Sequence, residues 1–199
     1  DDTTVRALNA IRHGSKSPNV LRWINTQCVN ATVSEECVTL CTTNAVAKCI
    51  NDFYYEDIES PERVFYAEKS GRFNDKPVED TMGIKEGMRV IMCANNNAAG
   101  YSNGECGEVS RISDAGYVEV ELDNGATVIV EPHTWEAYSY RNTAGVLSKM
   151  VDGSFTQLPL KMGYGITIHK SQGMTLDEAI LDLGNGAFSH GQTYVALSR

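Results

Sequence analysis

The sequence predicts an α/β domain interrupted by a small β-barrel. Three observations lead there: a strand–turn–helix passage at residues 37–58, a run of short strands and Gly turns over residues 84–140, and a return of α/β texture after residue 150. The expected divisions are 1–83 for the first part of the α/β domain, 84–141 for the barrel and 142–199 for the second part.

Thr4, Val5, Leu8 and Ile11 recur at helical spacing and predict a first helix stopped at Gly14. Pro18 suits the first turn of a second helix carrying Val20, Leu21 and Ile24. "CVTLCTTN" then reads as a short buried strand, with Thr43 or Asn44 capping a helix whose Val46, Cys49, Ile50 and Phe53 repeat at helical spacing. "MRVIMCA", "ECGEVSRI", "YVEVEL" and "ATVIVE" are predicted strands, and "LDNGA" supplies an Asn-Gly hairpin turn. Val118 and Val120 alternate with Glu119 and Glu121, which buries one face and solvates the other. "WEAYSYR" is expected as the last or an edge strand of the barrel.

"GYGITIHKSQG" reads two ways. Ile166 and Ile168 alternate with Thr167 and His169 as in a strand, whereas Tyr164, Ile168 and Gln172 are spaced by four, with Gly173 placed to end a helix. The helical reading is preferred. "AILDLG" is expected as a buried strand, and "QTYVALSR" as a helix with Val195 and Leu197 inward.

The bulk numbers narrow the field. With 199 residues and 42% hydrophobic residues the chain can bury a sizeable core. No run of 18 apolar residues exists, so no helical membrane span is expected, and the first 25 residues are too polar for a secretory leader. The text begins abruptly at "DDTT" and stops at "YVALSR", so it reads like a piece of a longer protein. None of the six cysteines forms a CxxC pair, and they are expected as buried free thiols in a reducing, intracellular compartment. The net charge of −9 opposes a polyanion partner at face value. Its distribution softens that argument, because residues 104–140 hold eight acidic residues against one basic residue, while both ends are mildly positive.

Within "TIHKSQG", a Thr, a His, a Lys, a Ser and a Gln are donors suited to a phosphodiester backbone, and none of them in this pattern specifies a base. "TIHKSQGMTLDEAILDLG" and "QTYVALSR" together resemble motifs V and VI of superfamily 1B DNA helicases, the PIF- and RecD-like group. "VTLCTTNAVAKCIN" is similar to their motif IV region, and "GMRVIMCANNNAAGYSNGECGEV" to the entry into their SH3-like barrel.

The resemblance covers nearly the whole chain and implies a second RecA-like helicase domain with an inserted SH3-like β-barrel. It implies that Arg199 is an arginine finger for the transferred phosphoryl group, since guanidinium is planar and permanently charged. It places Gly173 and Thr175 at the nucleotide, and Thr167, His169, Lys170, Ser171 and Gln172 on the face that coordinates DNA phosphate. Thr43 and Asn44 are further DNA-contact candidates. The partners implied are single-stranded DNA and an N-terminal RecA-like motor domain of the same protein, with ATP and Mg2+ as cofactors of the full-length motor. No G-x-x-x-x-G-K-[ST] occurs in the sequence. The chain alone is therefore expected not to hydrolyse ATP. The alternative reading is a non-catalytic module that binds protein or single-stranded DNA.

Overall fold

The computed structural model describes residues 2–28, 37–143, 146–174, 176, 178–187 and 189–199. Two compact units emerge: Asp1–Tyr54 with Tyr164–Arg199, and Tyr55–Gly163.

The first unit opens with α1 (Asp2–Arg12) and α2 (Pro18–Cys28). Gly14, at φ +73°, ends the first helical stretch in the left-handed conformation that suits glycine. A parallel strand β1 (Val38–Cys41) leads into α3 (Asn44–Asp57). Thr43 is the cap of α3, because its Oγ1 accepts the Val46 N–H at 3.3 Å. The inward face of α3 differs from the expected one. Ala47 is buried and Ile50 and Asn51 half-buried, while Val46, Cys49 and Phe53 are exposed.

The second unit contains ten strands among the described residues, β2 (Arg63–Tyr66), β3 (Glu68–Gly71), β4 (Thr81–Ile84), β5 (Arg89–Met92), β6 (Cys106–Ile112), β7 (Val118–Leu122), β8 (Thr127–Val130), β9 (His133–Thr143), β10 (Val146–Gln157) and β11 (Leu160–Met162). Five of them form an antiparallel sheet in the order β11-β5-β6-β7-β8. Met88, Val90, Met92, Val109, Val118, Val120, Leu122, Val130, Leu158 and Leu160 are at most 2% exposed and form its core. Burying each such side chain contributes about 1.5–3 kcal/mol before ordering costs are counted. The expected alternation holds, with Glu121 outward between buried Val120 and Leu122. Gly125, at φ +84°, completes the tight turn from β7 to β8.

"WEAYSYR" does not join that sheet. It lies in β9, which pairs with β10 and, through β10, with β3. The strand beside β5 is instead β11, brought back from later in the chain. β9 and β10 pair with each other along a long ladder, from His133↔Gln157 to Thr143↔Val146.

The chain then returns to the first unit with β12 (Gly165–Thr167), β13 (Ala179–Asp182) and α4 (Gln192–Leu197). β12, β1 and β13 form a parallel sheet in that order. The helix expected over "GITIHKSQG" is therefore a strand followed by tight turns. The Ile-Thr-Ile run is β-branched, and Ile166, Thr167 and Ile168 are all buried, as a strand covered on both faces requires. β13 is a strand as expected, yet Ala179 and Ile180 are exposed because β13 is an edge of its sheet. On α4 the inward residues are Gln192 and Ala196, while Val195 and Leu197 are half-buried.

Candidate nucleotide and nucleic-acid site

Three adjacent parallel strands bring their C-terminal ends together. Cys41 of β1 stands in register with Thr167 of β12 on one side and Asp182 of β13 on the other. Residues 42–44, 168–173 and 183–187 follow directly from those ends, the place where open α/β sheets bind ligands.

The 168–173 turn is built by short-range bonds. The Ile168 N–H donates to the Cys41 carbonyl at 2.9 Å, and the Ser171 N–H to the Thr167 carbonyl at 3.1 Å. The buried Ser171 hydroxyl donates to the Ile168 carbonyl at 2.8 Å. Thr167 is also buried, at 5% exposure. These two side chains shape the turn from inside. His169, Lys170 and Gln172 stand on its exposed side. Gly173 holds φ +90°, and a Cβ there would touch no atom of the chain, so its glycine is needed for backbone conformation rather than for space. Thr175 lies outside the described residues.

Thr43 is exposed, with its hydroxyl on the α3 backbone, and Asn44 is exposed beside it. Gln192, which the sequence reading did not single out, ties this segment to α4: its Nε2 donates to the Thr42 carbonyl at 3.3 Å and its side chain is 2% exposed. A Gln heading a helical stretch carries no pattern that would mark it as buried. At the far end of α4, Arg199 donates Nη1 to the Met174 carbonyl at 3.2 Å, Nε to the Val195 carbonyl at 3.3 Å and Nη2 to Ser198 Oγ at 3.1 Å. Arg199 thus sits against the segment that leaves the 168–173 turn.

Cys41 lies beneath these segments with its thiol pushed up to about 11, by burial first and by the Asp182 carboxylate second. Of the five described thiols, Cys41 is buried, Cys37, Cys93 and Cys106 are half-buried and Cys49 is exposed, so the expectation of buried thiols holds at Cys41 and fails at Cys49. Cys49 lies on the outward side of α3, which helical spacing alone does not distinguish from the inward one.

No protein-family model matches the chain. Among curated proteins, the ATP-dependent DNA helicase Pif1 of Campylobacter jejuni is 29% identical over 211 residues, covering 96% of this chain and 47% of that protein. The human ATP-dependent DNA helicase PIF1 is 30% identical over 210 residues, covering 100% of this chain and 31% of that protein. Among solved structures, Bacteroides sp Pif1 in complex with ADP-AlF4 matches with a TM-score of 0.85 and 30% identity over 100% of this chain and 46% of that one.

The chain is a Pif1-like helicase domain of superfamily 1B.

Its mixed α/β structure fits a RecA-like domain, in agreement with the sequence reading. Bacteroides Pif1 bound to ssDNA also matches, with a TM-score of 0.68 and 31% identity over 100% of this chain and 46% of that one. This Pif1-like chain spans less than half the length of the two curated relatives named above. Among the described residues, no helix is long and apolar enough to cross a membrane.

Proposed function

We propose that this chain is the second RecA-like motor domain of an ATP-dependent DNA helicase that couples ATP hydrolysis to 5′-to-3′ movement on single-stranded DNA. The observation that carries the reading is the convergence of residues 42–44 and 168–173 at the C-terminal edge of one parallel sheet, with Gln192 joining α4 to that edge.

In this reading His169, Lys170 and Gln172 meet the phosphates of a single strand, with Thr43 and Asn44 beside them. Ser171 and Thr167 hold the turn that presents those groups. Gly173 and Thr175 border the nucleotide, and Arg199 leaves the Met174 carbonyl to meet the charge developing on the transferred phosphoryl group. An N-terminal RecA-like domain of the same protein supplies the phosphate loop and the ligands for Mg2+. The five-stranded sheet of the second unit corresponds to the inserted SH3-like barrel, and its acidic face stays in solvent.

Arg199→Ala in the full-length protein is expected to lower DNA-stimulated ATP turnover about 10³-fold while leaving affinity for single-stranded DNA within about twofold. Steady-state turnover and fluorescence anisotropy measure the two effects. A loss below about tenfold in turnover would overturn the arginine-finger assignment.

A further inference from the structure

β12 is an edge strand, paired to β1 on one side only among the described residues. On that side the Thr39 N–H donates to the Tyr164 carbonyl at 2.8 Å. Gly165 is the next residue, so its own N–H and carbonyl point away from β1. Gly165 is buried, and leaving both groups unpaired there would be costly.

Asn51 of α3 satisfies both. Its Nδ2 donates to the Gly165 carbonyl at 2.8 Å, and its Oδ1 accepts the Gly165 N–H at 2.8 Å. The side-chain amide stands in for a missing strand neighbour. Close approach is required, since a Cβ on Gly165 would lie 3.0 Å from the Ala47 carbonyl oxygen and 3.1 Å from Ile50 Cβ. One turn further along α3, Tyr54 stacks on Tyr164 with centroids 4.6 Å apart and rings 8° from parallel.

We infer that Asn51 is a positioning residue for nucleic-acid binding, locking the turn at residues 168–173 to the helix that starts at Thr43 and Asn44. The inference rests on the function proposed above. One end of α3 carries one pair of candidate phosphate contacts. Its interior grips the base of the strand that delivers the others, beginning four residues after Gly165. With both segments fixed to one helix, a strand of DNA meets a surface that needs no ordering on binding. Asparagine suits the role because its amide offers donor and acceptor together, whereas an aspartate would face the Gly165 carbonyl with a second acceptor.

The test uses the full-length protein, a fluorescein-labelled oligothymidylate and anisotropy, alongside ATP turnover. Asn51→Ala is expected to weaken binding about tenfold and to raise the half-saturating DNA concentration equally, with turnover at saturating DNA within about twofold. Asn51→Asp is expected to bind as weakly at about pH 8 and to regain affinity relative to the unsubstituted protein toward about pH 5.5, where a protonated carboxyl again offers one donor and one acceptor. The Asp series carries the test if the Ala variant fails to fold. Unchanged affinity in Asn51→Ala, or an affinity in Asn51→Asp that never recovers, overturns the inference, while a weakened Lys170→Ala control leaves the functional reading standing. If the unsubstituted protein itself binds no oligothymidylate, the functional reading falls and this inference falls with it.

Discussion

Cys41 ends its strand under the candidate site, with its thiol pushed from an ordinary 9.0 up to about 11 by burial and then by Asp182. The folded chain keeps this proton over a range in which the unfolded chain loses it. Between pH 9.0 and about 11 the unfolded state therefore binds fewer protons, and stability falls as pH rises. Below 9.0 both states hold the proton and the thiol adds no pH dependence. Denaturant unfolding across this range should show a steeper loss for the unsubstituted protein than for Cys41→Val. Equal slopes would show that the thiol is not held protonated. At this scale the sequence made His169, Lys170 and Gln172 legible, because four polar residues in succession have no use in a core. It did not distinguish Ser171 from them, since only the fold shows that this hydroxyl points inward to the Ile168 carbonyl. Asn51 and Gln192 were not legible at all, as a single polar residue on a helix reads as surface until its partner is known.

Elements tell a similar story with a different cause. Strands with strict alternation, such as Val118–Leu122, followed from sequence because their period is that of one buried face. The segment after Tyr164 did not, because its alternation of Ile166 and Ile168 with Thr167 and His169 competes with the helical spacing of Tyr164, Ile168 and Gln172. β9 was recognisable as a strand, but its pairing with β10 is a tertiary contact that local pattern does not record. Gly107 in β6 tests how tightly such ladders are seated. An added Cβ would lie 2.4 Å from the Glu121 carbonyl oxygen and 2.9 Å from Leu122 Cα, both backbone atoms of β7. Gly107→Ala is expected to destabilise the protein by about 2–3 kcal/mol in chemical denaturation. A change below about 0.5 kcal/mol would show that β6 and β7 separate without cost.

For the whole molecule, charge bears on the proposed DNA contact. A chain of net charge −9 does not attract a polyanion broadly, so under the proposed function binding would come from the few donors at the strand ends. With Lys170 the one Lys or Arg among the proposed DNA contacts, this chain's share of the salt dependence is a log–log slope of about −1. Titrating oligothymidylate with this chain between low and moderate salt checks this. A slope steeper than about −4 would point to a second, more extensive contact surface.

By itself the sequence determined the α/β class, most strand positions, the family resemblance and the exposed donors of the HKSQG segment. These depend on local period, turn chemistry and runs of residue types, all of which are written in neighbouring positions. Only the tertiary structure decided that β11 rather than β9 completes the five-stranded sheet, that Arg199 rests on the Met174 carbonyl, and that Asn51 holds Gly165 from 114 residues away. Such pairings depend on which hydrogen-bonding groups are left open once everything else has packed, and no local pattern records that.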